Sequence, residues 1–208
     1  MRDKEIYLHF SNPFMKEGLI KWHIQSTNKL ISVLVIEFGH KILMLNSVLT
    51  IFANVVTYIS QGHQGTIKIG LEAKSLEKGM VTDFKHLNCI KKLVDEYFDH
   101  RFIIDQNDPL FYNMFPEVQE CGLVWHESNL FATPDMSYFK DVDVTSPIYE
   151  KLEGLVVVDF VPTSENLCKF LATLTDFTLT GLDGYGTRFR LSHIDYWETP
   201  KSHCRYTC

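Results

Sequence analysis

The run Gly79-Met80-Val81-Thr82-Asp83-Phe84, followed through to Asp99-His100, reads as a strand end, a turn and one amphipathic helix. Gly79 gives the backbone freedom where a strand must stop. Asp83 is a candidate N-cap, because its carboxylate can accept from the unpaired N–H groups of a first turn. Phe84, Leu87, Ile90, Val94 and Phe98 recur three and four apart, which puts them on one helical stripe. Asp99-His100 follows where that stripe gives out. A carboxylate beside an imidazole orients the ring and favours its protonated form, as a proton-transfer pair requires. Taken alone, the plainer reading of Asp-His is a solvated helix end.

Outward from this helix, periodicity predicts an α+β chain. Upstream, Ile67, Ile69, Leu71 and Ala73 alternate with polar residues over Thr66 to Ala73, a half-buried strand. Leu30 to Leu45 is rich in Ile, Val and Leu and suits a buried strand, broken at Gly39. Residues 1–29 read as an N-terminal extension and 30–208 as one domain. Downstream, residues 101–153 carry turn signals at irregular intervals, such as Asn107-Asp108-Pro109 and Thr133-Pro134-Asp135, and read as an insertion. His126-Glu127 within it reads as surface loop. Leu155 to Phe160 is a short buried strand. Thr163 or Ser164 then caps a helix with Leu167, Phe170, Leu171, Leu174 and Phe177 on its inner face. Gly181 to Gly186 lacks a following helix, so it is a hairpin connection rather than a phosphate loop. It leads into a strand ending at Glu198.

Composition narrows the function. The 208 residues suffice for one sizeable core and require no second domain. A net charge of −6 without a basic patch argues against nucleic acid as a partner. Cys89, Cys121, Cys168, Cys204 and Cys208 form no Cys-x-x-Cys pair and are odd in number, which fits a reducing, cytoplasmic setting. The charged start Met1-Arg2-Asp3-Lys4-Glu5 is not that of a secretory signal. Ile42 to Ser60 carries no charge and approaches the length of a membrane span. Asn46, Ser47, Thr50, Asn54 and Thr57 would be costly in hydrocarbon, so no membrane span is expected.

Four short motifs stand in order: Gly79-Met80-Val81-Thr82-Asp83-Phe84, Asp99-His100, Pro162-Thr163-Ser164-Glu165-Asn166 and Trp197-Glu198-Thr199. Together they resemble the 6-pyruvoyl-tetrahydropterin synthase family, which includes the 6-carboxytetrahydropterin synthases of queuosine and other 7-deazaguanine pathways. The resemblance spans roughly residues 63–206. It implies the tunnelling fold: an antiparallel four-stranded sheet with two helices on one face. It further implies a homohexamer of two trimeric rings closing a barrel, with sites between subunits. The activity implied is that of a zinc-dependent lyase. It would convert 7,8-dihydroneopterin triphosphate to 6-carboxytetrahydropterin or 6-pyruvoyltetrahydropterin. By the same resemblance Asp99 and His100 are the proton-transfer pair and Glu198 the pterin anchor. Thr163, Ser164 and Glu165 bind the pterin edge, and His40 and His63 are metal ligands.

The chain departs from the family pattern before Gly62. The family places His-Gly-His where this chain has Gln61-Gly62-His63, and Gln is a poor zinc ligand beside imidazole. The family's Cys, a few residues earlier, is absent, and Thr57 stands near its position. A Thr hydroxyl cannot do the work of a thiolate. Three explanations stay open: another base, a lost reaction, or an altered first sixty residues. The alternative to an enzyme is therefore a catalytically impaired pterin-binding homologue.

Overall fold

The computed structural model describes residues 65–198 and 201–208 in full. It also describes the backbone of Thr199 and of five strands before Gly65. Those five are β1 (Glu5–Leu8), β2 (Ile20–His23), β3 (Leu30–Ile36), β4 (Lys41–Leu45) and β5 (Ser60–Gln64). β6 (Thr66–Ala73) follows, then a 3-10 turn at Phe84–Leu87 that runs into α1 (Asn88–Tyr97). Next come β7 (Phe102–Asp105), the single-turn helices α2 (Phe111–Met114) and α3 (Val118–Cys121), β8 (Leu123–His126) and β9 (Phe131–Pro134). The chain closes with α4 (Pro147–Glu153), β10 (Leu155–Val158), α5 (Ser164–Leu179), β11 (Phe189–Thr199) and β12 (Ser202–Thr207).

The strand expected to stop at Gly79 ends earlier, at Ala73, and Gly79 lies in a separate two-residue turn closed by a Glu77–Met80 bridge. Glu77 and Met80 exchange backbone hydrogen bonds while Lys78 and Gly79 take φ of 51° and 81°. Both central residues are left-handed, as a tight hairpin turn demands. Asp83 then accepts from the N–H of Lys85 at 3.0 Å and caps the 3-10 turn.

One sheet is four-stranded and wholly antiparallel, in the order β12-β11-β6-β3. Ile67, Ile69 and Leu71 of β6 and Leu191, Ile194 and Tyr196 of β11 are buried on its inner face. Leu191 and Ile194 are three apart yet both point inward, because the β6–β11 register slips by one residue between Leu191 and His193. Such a bulge reverses the alternation locally. Against this face lie α1, through Ile90, Leu93 and Val94, and α5, through Leu167, Cys168, Leu171 and Leu174. This is the α+β layer expected from the sequence.

A second sheet was not legible in the sequence. Its order is β5-β4-β7-β10-β9-β8, with β4, β7 and β10 parallel to one another and the remaining pairs antiparallel. It takes β7, β8 and β9 from the stretch read as irregular. Each is four residues long, too short for alternation to show. Ile103, Phe131, Val156 and Val158 join the core with α1 and α5. Ile104, Leu155 and Val157 face a second core with Phe111, Phe115, Val118 and Leu152. The helical pair therefore sits between two sheets. Leu30 to Leu45, read as a strand broken at Gly39, is two strands, β3 and β4, that enter different sheets. Gly181 to Gly186 links α5 to β11, not two strands. Among the described residues no helix is long and apolar enough to cross a membrane.

Candidate active site

The end of α1 is fixed before its catalytic candidates appear. The N–H groups of Phe98 and Asp99 both donate to the carbonyl of Val94, at 2.9 and 3.0 Å. Arg101 donates to the carbonyls of Glu96 and Glu153 and so ties this end to α4. Between them His100 takes φ of 57°. The left-handed region costs a non-glycine residue about 1–2 kcal/mol, and helix ends ordinarily place glycine there. The chain instead keeps an imidazole. Nδ1 of His100 lies 3.0 Å from Oδ1 of Asp99, with the Asp99 side chain 19% exposed and the His100 ring 66% exposed. The carboxylate is set back in the surface and the ring projects from it.

The start of α5 builds the second half. Thr163 is the N-cap, its hydroxyl accepting from the N–H of Asn166 at 3.3 Å. Glu165 lies exposed in the first turn, where a negative charge complements the helix dipole. Ser164 turns the other way and donates its hydroxyl to Oε2 of Glu198 on β11. Further along, the Cys168 thiol lies 3.3 Å from the carbonyl of Ile194, so the first turns of α5 sit directly over the end of β11.

α1 and α5 run antiparallel. Ile90, Leu93 and Val94 meet Leu171, Leu174 and Thr175 around a small apolar cavity. At the other end Phe98 packs edge-on against Phe170 with ring centroids 5.7 Å apart. Phe98 immediately precedes Asp99, and Phe170 lies about 9 Å along its helix from Ser164 at 1.5 Å per residue. Asp99-His100 and the Ser164–Glu198 pair thus lie at the same end of the helical layer. Phe177, expected on the inner face, is 41% exposed, since the rings that bury Phe170 (Phe98, Phe131 and Phe160) gather at the N-terminal half of α5.

The metal candidates lie outside this description. His40 is not among the described residues, and Gln61 and His63 are described only as backbone of β5. The β4–β5 register sets Gln61 opposite Met44 and His63 opposite Ile42, which puts the two on one face of the strand. Among the described residues no group of three or more His, Cys, Asp or Glu could hold a metal ion.

The outer face of the four-stranded sheet carries a polar cluster that no motif announced. Asp195 is 3% exposed, and both its oxygens accept from Arg205 at 2.5 and 2.7 Å. His203 joins at 3.1 Å and His193 lies 3.9 Å away. Burial pushes the Asp195 carboxyl up, but Arg205 and His203 outweigh it and hold it below the usual range. Trp197 stacks on His203 with Lys68 over its ring. In sequence these are scattered polar residues. Only cross-strand pairing of Asp195 with Arg205 and of Trp197 with His203 makes them a cluster.

The family model for 6-pyruvoyl tetrahydropterin synthase matches residues 59–208. The chain belongs to the 6-pyruvoyl tetrahydropterin synthase family. Within it, the chain is 29% identical over 149 residues to the 6-carboxy-5,6,7,8-tetrahydropterin synthase of Aquifex aeolicus, covering 70% of this chain and 72% of that one. An uncharacterized protein of Wolinella succinogenes is 37% identical in its crystal structure. It aligns with a TM-score of 0.69 over 86% of this chain and 98% of that one. The 6-pyruvoyltetrahydropterin synthase of Plasmodium vivax, solved with a catalytic glutamate replaced by cysteine, shares the fold at 14% identity. Its TM-score is 0.52, over 86% of this chain and 96% of that one.

Proposed function

We propose that this chain is a lyase acting on 7,8-dihydroneopterin triphosphate, forming 6-carboxytetrahydropterin on the route to 7-deazaguanines such as queuosine. The observation that carries the reading is the Ser164–Glu198 hydrogen bond at the start of α5, at the same end of the helical layer as Asp99-His100. A carboxylate accepts two hydrogen bonds from the 2-amino group and ring N–H of a pterin, a fit that a neutral side chain does not match in strength. Ser164 steadies that carboxylate, and Thr163 and Glu165 complete the helix start around the pterin edge. The Asp99 carboxylate lies 3.0 Å from Nδ1 of His100, leaving Nε2 to carry a proton at the substrate's side chain. An imidazole kept in a left-handed position at a cost in stability is what a working group would look like.

Two imidazoles and an amide carbonyl fit a divalent ion, though they hold it less firmly than three imidazoles. His40 and His63 would bind zinc, with Gln61 beside them. When bound, zinc would polarise the substrate's side-chain oxygens. A cytoplasmic homohexamer, with sites shared between subunits, completes the reading.

The test is to incubate purified protein and zinc with 7,8-dihydroneopterin triphosphate and follow tetrahydropterin products. Turnover is expected. His100→Ala should lower it at least 100-fold, the low end of a general acid–base contribution, while sparing pterin affinity. Pterin binding without any turnover in the parent protein would instead identify a binding homologue. Absence of binding would sink both.

A further inference from the structure

Tyr196 occupies a core position on β11, two residues before Glu198. Residues two apart on a strand share a face, about 7 Å apart along it. Tyr196 and Glu198 therefore both point toward α5, where Ser164 holds Glu198 and Cys168 covers Ile194. Tyr196 is 1% exposed. Its hydroxyl is fully buried and makes no hydrogen bond among the described residues. Burial pushes its phenol far up, with the Glu198 charge the next contribution. The group stays protonated, a donor on the same strand face as Glu198. A buried hydroxyl without an acceptor costs free energy, and Phe would fill the same space without that cost.

A carboxylate offers about four lone-pair sites. A bidentate heterocycle takes two, and Ser164 donates to one of the oxygens. We infer that Tyr196 is a positioning residue for the anchor: its buried hydroxyl donates to the carboxylate when Glu198 turns to grip a ligand with two adjacent N–H donors. Among the described residues the hydroxyl has no acceptor in the empty protein, and it gains one in the complex. This inference rests on Glu198 being the anchor.

The chemistry predicts effects of opposite sign. Tyr196→Phe should hold or raise the melting temperature of the ligand-free protein, because an unsatisfied group is removed. The same change should weaken 7,8-dihydroneopterin binding, measured by titration calorimetry, roughly tenfold to a hundredfold, as expected for losing a hydrogen bond to a charged group. KM for the triphosphate should rise by a similar factor with kcat nearly unchanged, since the phenol does not touch the reacting side chain. Glu198→Gln is the control. Affinity unchanged in Tyr196→Phe but lost in Glu198→Gln would overturn this inference and leave the anchor standing. Affinity unchanged in Glu198→Gln would overturn the anchor itself. A lowered melting temperature in Tyr196→Phe would show that the hydroxyl is already satisfied without ligand, which also overturns the inference.

Discussion

At the scale of single residues, close approach governs behaviour. A Cβ built on Gly70 would lie 2.1 Å from Cε1 of His193, so the imidazole rests directly on the glycine backbone. His193 is 8% exposed, and burial lowers its pKa, with Arg205 adding to the effect and Asp195 and Glu72 opposing it. The folded state thus resists a proton that the unfolded chain accepts near pH 6.5. Stability from this group is complete above that pH. It is lost as pH falls from there to the lowered folded value. The melting temperature should therefore decline between pH 7.5 and 5, and His193→Gln should make the decline shallower in scanning calorimetry. Asp195 acts lower on the scale. Its folded pKa is depressed, so its contribution is present above the ordinary aspartate value near 3.9 and is lost only below it.

At the scale of elements, caps and stripes were largely readable. Asp83 and Thr163 cap as their residue types predict. Leu87, Ile90, Val94 and Phe98 are buried as their spacing requires, and Phe84 is partly buried against the same core. Thr163→Ala removes a side-chain acceptor from the first turn of α5 and should cost about 1 kcal/mol, read by urea denaturation. Ser164→Ala removes a partner of Glu198 instead. With Glu198 as the proposed anchor, its effect should appear in pterin affinity more than in stability. The short strands of the six-stranded sheet without a continuous apolar run escaped the reading. β7, β8 and β9 carry too few positions for a period to emerge. β12, from Ser202 to Thr207, is an edge strand with mostly exposed polar side chains, and nothing in its pattern marks a strand. The bulge between Leu191 and His193 also blurs the alternation of β11.

For the whole molecule, Phe131 shows how the layers are joined. It comes from β9 of the six-stranded sheet and is fully buried. Its ring meets Tyr97 and Phe98 at 5.1 Å and Phe170 at 6.4 Å, so one side chain couples that sheet to α1 and α5. His126 stacks on it at 5.1 Å and also meets Tyr97 at 5.0 Å. Phe131→Ala should cost about 3–5 kcal/mol and lower pterin affinity with it, because the shared core holds the ends of α1 and α5 in register. Denaturant titration beside ligand titration would measure both. A stability loss with unchanged affinity would mean that the two helix ends are held independently of this core.

Local chemistry alone determined the α1 and α5 stripes, their caps, the half-buried β6 and the order of motifs that placed the chain in its family. Each rests on contacts within a few residues, so each leaves a period or a residue type in the sequence. Tertiary structure alone decided the second sheet, the antiparallel helix pair that gathers both ends of the site, the Asp195 cluster and the buried Tyr196 hydroxyl. These depend on which distant strands become neighbours. That choice is made by pairing and burial across the whole chain and leaves no local mark.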